Sequence, residues 1–185
     1  MCARVLRGLV LLTAIGLFAV PHDAHATQVL ALDLDELGRE SRLVVEGRVV
    51  DQRAFWNERR THILTAVEVE VDRAHKGDAP RRLTVVQAGG ELDGVRMTVH
   101  GVTRWRDGER VLLFLEPAFD RSYRVTGFSQ GKFDLRTDPE TGETVAVRPA
   151  LGVETIGTAA DTDRALRLPL RRVLDRAELN VREER

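Results

Sequence analysis

Gly127-Phe128-Ser129-Gln130-Gly131 spells G-x-S-x-G, the pattern in which a serine on a sharp strand-to-helix turn becomes an acyl-transfer nucleophile. That chemistry needs a helix after the turn, because its amino-terminal N–H groups help to hold the oxyanion. Here Lys-Phe-Asp-Leu-Arg follows, which reads as a strand, and no strand–helix alternation elsewhere supplies the fold. The pentapeptide is therefore read as a tight β turn that needs two glycines, with Ser129 an ordinary hydroxyl. Beyond residue 26 the histidines are His62, His75 and His100, none three or four residues from another, so their spacing gives no metal motif. His62 and His100 can meet only across a sheet. Glu68, Glu70 and Asp72 share one strand face, where a solvated face and a hydrolytic carboxylate pair are not separable. Asp161 and Asp163 resemble part of a calcium loop that lacks its glycine and terminal glutamate. Gly89 to Gly94 is glycine-rich, but a phosphate cradle opens into a helix and here a strand follows, so a loop or bulge is expected. No catalytic residue, metal ligand or cofactor is assigned. The residues with the best chemistry for contact are the aromatics Phe55, Trp56 and Trp105, which stand on links between strands and can anchor a partner or cap a core.

The elements that must position these residues are mostly strands. Ile63, Val67, Val69 and Val71 share one parity against Glu68, Glu70 and Asp72 on the other, which predicts a strand with one wet face. Leu43, Val45 and Val49 form a similar series broken at Gly47, where a missing side chain lets a strand bend or bulge at a barrel corner. Further strands are expected at 83–87, at Val95, Met97 and Val99, at 111–115, 123–128 and 132–136, and at Val145 and Val147. Val111 to Leu115 is apolar on both parities and fits a strand covered on both sides. Asp33 with Glu36 is a capping-box pattern that predicts a helix of two or three turns before the first strand. Pro149 to Thr162 reads as a linker. After it Pro169 suits a first helical position, and Leu170, Val173, Leu174, Ala177 and Val181 line one face of a terminal amphipathic helix. The fold class is mainly β: a curled antiparallel sheet or small OB-like barrel, with a short amino-terminal helix and a carboxy-terminal amphipathic helix.

Length and composition bound the rest. A chain of 185 residues with 43% hydrophobic and 31% charged residues has room for one packed domain. With 28 Lys+Arg against 29 Asp+Glu it has no electrostatic grip on nucleic acid. Nearly all its bases are arginine, lysine standing only at Lys76 and Lys132, each beside a glycine; base composition of the source accounts for this. Residues 1–26 carry the parts of a secretory signal: Arg4 and Arg7, an apolar run from Gly8 to Val20, then Ala24-His25-Ala26. The run is shorter than the ~20 residues that span a bilayer. The expected organisation is a signal peptide at 1–26, a barrel-like domain at 27–150, and a linker with a packed helix at 151–185. The product should be periplasmic or secreted, with no membrane span after cleavage. Its one cysteine, Cys2, leaves with the signal.

The stretches "LVVEGRVV", "ILTAVEVEVDRAHKG", "GERVLLFLE" and "YRVTGFSQGKF" resemble a group of uncharacterised exported bacterial proteins, and their order is similar to the OB-type barrel of netrin-like and tissue-inhibitor-of-metalloproteinases domains. The likeness covers roughly residues 43–135 and implies the fold. Those inhibitors coordinate the protease zinc through an amino-terminal cysteine. Thr27 occupies that place here, so the inhibitory mechanism is not implied. The function expected is an exported, non-catalytic binding module for an extracytoplasmic protein or glycan. The alternative is a small serine or metal-dependent hydrolase using Ser129 or a His62/His100 site.

Overall fold

A computed structural model describes residues 28–150, 154–156 and 165–179. The proposed signal at 1–26, Asp161, Asp163 and Val181 lie outside them. The fold is built on two 14-residue strands, β2 (Leu43–Trp56) and β3 (Ile63–Lys76), after a short β1 (Gln28–Leu30) and helix α1 (Leu34–Glu40). β2 and β3 pair antiparallel from Val44↔Lys76 to Trp56↔Ile63, with irregularities at Val44/Val45, Glu46/Gly47 and Val49/Asp51. β4 (Arg82–Ala88) lies on the far side of β3, and β7 (Arg110–Pro117) on the far side of β2. Between those two, β5 (Gly90–Leu92) and β6 (Val95–Met97) form a small hairpin.

β8 (Tyr123–Val125) closes the ring, running antiparallel to β7 and meeting β4 in parallel at Val85↔Tyr123. The closed order β7-β2-β3-β4-β8 is a small OB-like barrel with one short seam. From β7 the sheet continues outward through β9 (Lys132–Thr137), β10 (Thr144–Arg148) and β12 (Leu166–Pro169), while β11 (Glu154–Ile156) pairs with β1. Helix α2 (Leu170–Arg176) ends the described chain.

β7 is covered on both faces, as its unbroken apolar run predicts. Val111, Leu113 and Leu115 enter the barrel core with Leu43, Val45, Val67 and Val85. Leu112 and Phe114 face a second core with Phe133, Leu135 and residues of both helices, and all five β7 residues are fully buried. At about 1.5–3 kcal/mol for each large apolar side chain removed from water, this strand joins the two cores into one cooperative unit. The capping box is also present: Glu36 N–H donates to Asp33 Oδ1 at 2.7 Å and Asp33 N–H to Glu36 Oε2 at 2.8 Å.

Five expectations need correction. Phe55 and Trp56 do not stand on a link, because β2 runs on through them with β3 as its partner. The strand expected at 123–128 ends at Val125, where the chain turns toward β9. Pro169 is not the first helical residue. It ends β12 in an extended conformation, and the helix begins at Leu170. The cause is tertiary: Leu166–Pro169 find β10 as a partner, and a proline on an edge strand gives up no ladder bond. The linker is interrupted too, since Glu154–Ile156 gain a parallel partner in Gln28–Leu30. The glycine-rich stretch at 89–94 contains β5, so it is the first arm of a hairpin; its partner β6 stops at Met97, before Val99.

Candidate functional site

The barrel has a polar mouth. On β3 and β4 the parity that sends Val67 and Val85 into the core leads, one pair further, to Thr65 and Gln87. Past the irregularity at Val50, Gln52 and Ala54 of β2 stand opposite Val67 and Thr65, so the inner face turns polar at this end. The segment after β6 crosses the opening and is held by Gln87. Its Nε2 donates to the Thr103 carbonyl at 3.0 Å, and its Oε1 accepts from Trp105 Nε1 at 2.9 Å. A groove of about 860 Å³ runs beside this segment, lined among others by Gln52, Thr65, Gln87, His100, Arg104 and Ser129.

Lys132 is a nearly buried charge in the groove lining. Its side chain is 6% exposed, with Nζ 2.6 Å from Asp134 Oδ1 and 2.8 Å from Glu109 Oε1, the latter an ion pair not aligned as a hydrogen bond. The same ammonium lies 5.2 Å from the centroid of the Trp105 ring. A compact ammonium satisfies two carboxylates and a π face where a planar guanidinium needs more room.

Lys76 is placed as specifically, donating from Nζ to the Gly38 and Arg39 carbonyls at the end of α1, at 2.7 and 3.3 Å. The two lysines of an arginine-rich chain are therefore tied to defined partners, and base composition does not account for where they stand.

The aromatics named from sequence do not converge. Trp105 is half-buried and packs from the crossing segment onto the barrel core, and it does not line the groove. Trp56 ends β2, donating from Nε1 to Asp93 Oδ2 at 3.2 Å, with the Arg60 guanidinium 6.0 Å from its ring. Phe55 stands opposite Leu64, and neither it nor Trp56 lines the groove. His100 lines the groove, whereas His62 is exposed on the β2–β3 hairpin, with Nδ1 2.9 Å from Thr61 Oγ1. Among the described residues no group of three or more His, Cys, Asp and Glu is arranged to hold a metal. Glu68 accepts from Thr84 Oγ1 at 2.9 Å and Glu70 lies 3.6 Å from Arg81, both as parts of the half-wet β3 face.

Around Ser129 the chain turns and then enters β9, so no helix stands behind the hydroxyl. The residue with the extensive contacts is its neighbour. Gln130 is fully buried, with Nε2 donating to the Leu30 carbonyl and Oε1 accepting from Leu32 N–H, both at 2.8 Å. It ties the amino-terminal segment to the barrel. Gly131 does not have a positive φ. It is glycine because an added Cβ would meet the Thr126 and Phe114 carbonyl oxygens at 2.7 and 2.9 Å.

A second cleft, of about 270 Å³, lies beside α2 and holds the remaining histidine. His75 Nε2 is 2.6 Å from Glu46 Oε1, with side chains 6% and 14% exposed. The His75 hydrogen bond holds the Glu46 carboxyl below the usual carboxylate range, helped by the charges of His75, Arg110 and Arg73 and opposed by burial. A depressed folded pKa contributes stability that is full above the unfolded value, about 4.3, and is lost as pH falls through the folded value. Glu46→Gln is thus expected to cost about 1.5–3 kcal/mol near neutral pH, with the deficit shrinking in acid below the unfolded pKa. Urea titrations of both proteins across pH check this; a deficit independent of pH would assign the loss to packing.

The chain matches no family model, and no curated protein is significantly similar to it. Fold and site together define a small OB-like barrel with a polar groove at one mouth and an added sheet wing.

Proposed function

We propose that the protein is an exported, non-catalytic binding module that holds an extracytoplasmic partner, protein or glycan, in the groove at the barrel mouth. The observation that carries this reading is the groove itself. At about 860 Å³ it falls within the ~300–1,000 Å³ of ordinary ligand sites, and its polar groups sit on strands and on a segment that Gln87 clamps in place. A preformed site of this kind lowers the ordering cost of binding. The arginine-led, apolar, small-residue order of residues 1–26 supports delivery to the periplasm or beyond. The strand that follows Ser129 supports a non-catalytic role, since it offers the hydroxyl no helix N-terminus.

The test pairs two measurements on the protein beginning at Thr27. Arg104→Glu, which inverts an exposed charge on the groove wall, is expected to abolish retention of envelope protein or glycan without changing the melting temperature. A fluorophosphonate probe is expected to leave Ser129 unlabelled. Stoichiometric labelling lost in Ser129→Ala would put a hydrolase first, and equal retention by Arg104→Glu would remove the groove from the reading.

A further inference from the structure

We propose that the ligand is an extended acidic peptide segment that adds to the open edge of β2 as a further strand. This rests on the groove being the binding site and names what it takes. β7 accompanies β2 only from Leu43 to Arg48. The last backbone bonds on that side are Val49 N–H to the Glu109 carbonyl at 3.0 Å and Gly108 N–H to the Val49 carbonyl at 2.8 Å, and beyond them, among the described residues, only the Gln52 side chain reaches across, its Nε2 donating to Asp107 Oδ1 at 2.7 Å. β2 then runs on to Trp56 with β3 on its other side alone.

The alternation of antiparallel ladders says which groups this leaves open. Asn57 N–H bonds toward β3, to the His62 carbonyl at 2.9 Å, so the backbones of Asp51, Arg53 and Phe55 face β3 as well. Gln52, Ala54 and Trp56 must point the other way. The opposite strand agrees: the Ile63 carbonyl, across from Trp56, accepts from Gly89 N–H on the β4 side. Among the described residues no strand pairs with the outward row of Gln52, Ala54 and Trp56. Their donors and acceptors repeat every ~6.8 Å, two residues of an antiparallel strand, a spacing that a peptide backbone matches and a glycan does not. No proline or lysine blunts the edge from Asp51 to Trp56.

Charge selects the kind of peptide. Gln52 belongs both to this edge and to the groove, whose lining includes Arg96, Arg104, Arg106 and Lys132 against Glu91 and Asp134. Arg96 is committed to Glu91, and Lys132 to Asp134 and Glu109. Arg104 on the groove wall and Arg53 on the edge strand are exposed and have no carboxylate partner among the described residues. Arg53 alternates with Gln52 and so faces away from the groove, whereas Arg104 is on its wall. A strand with carboxylates at alternate positions turns them all to one face, toward Arg104, while its backbone takes the open row.

Fluorescence anisotropy of a synthetic peptide alternating glutamate with valine tests this on the chain from Thr27. The acidic peptide is expected to bind, and its lysine counterpart to bind at least about tenfold more weakly. Methylating alternate backbone nitrogens of the peptide in the facing register is expected to weaken binding by a similar factor. Ala54→Pro removes an edge N–H that β3 does not use, and should abolish binding at an unchanged melting temperature. The methylated peptide makes the same test on the unaltered protein. Equal binding by Ala54→Pro and wild type, or by methylated and plain peptide, overturns the strand addition while leaving the groove as a site. A glycan that binds where the acidic peptide does not has the same meaning. Self-association abolished by Ala54→Pro, without peptide binding, would give the edge to a second copy and overturn the proposal. Loss of all groove-dependent retention would remove the underlying reading as well.

Discussion

Replacing Gly47 with valine is expected to destabilise the protein by about 3 kcal/mol, the upper range for forcing atoms into a packed interior. Gly47 sits at a register shift of β2, with Val71 beside it on β3 and Val111 on β7. An added Cβ would lie 2.4 Å from the Glu70 carbonyl oxygen and 2.9 Å from Val69 Cγ1, and the first of these is backbone that cannot rotate away. The bend made there lets one strand serve β7 in its first half and reach past it in its second. Because the strain begins at Cβ, Gly47→Ala should already cost much of the effect, with valine adding the rest. Guanidinium unfolding of the three proteins checks this. A neutral valine would mean that β2 passes Gly47 without a close approach.

The fold was legible in the sequence where its cause is local. Period-2 alternation marks β3 and the middle of β2 because each needs one apolar face there, and Asp33 with Glu36 marks α1 because a helix terminus is capped within four residues. Gly47 was legible for the same reason. What was not legible depends on partners far along the chain. Leu166 and Leu168 look like the approach to a helix, and only β10 makes them a strand.

The candidate site shows this more strongly. Gln87, Glu109, Lys132 and Asp134 carry no spacing motif, and register brings the last two to β7 through Leu113↔Lys132 and Val111↔Asp134. One signal was present. In a chain whose only other lysine is Lys76, a lysine between Gly131 and Phe133 marks a place where a compact, strongly hydrated charge is held by specific partners. The G-x-S-x-G pattern drew attention to Ser129, while the buried contacts belong to Gln130, whose amide can donate and accept at once.

Lys132→Met is expected to have the largest effect of any single change at the groove, about 3–5 kcal/mol, because removing one partner of a buried ion pair leaves the others uncompensated. Methionine keeps the length of the apolar stem against Trp105 but leaves Glu109 and Asp134, 11% and 18% exposed, without the ammonium between them. Arg106 and Arg136 approach Asp134 only to 3.9 and 3.7 Å from well-hydrated positions and offset little of this. The cost should therefore come from stranded carboxylates and not from lost attraction, and the two are separable. The triple change Lys132→Met/Glu109→Gln/Asp134→Asn removes all three charges and is expected to recover most of the stability, since a buried pair is worth little net against neutral groups of similar shape. Denaturant midpoints of the single and triple variants decide it. A triple variant as unstable as the single would mean that the ammonium's contact with the Trp105 ring, and not the carboxylates, holds the crossing segment over the barrel mouth.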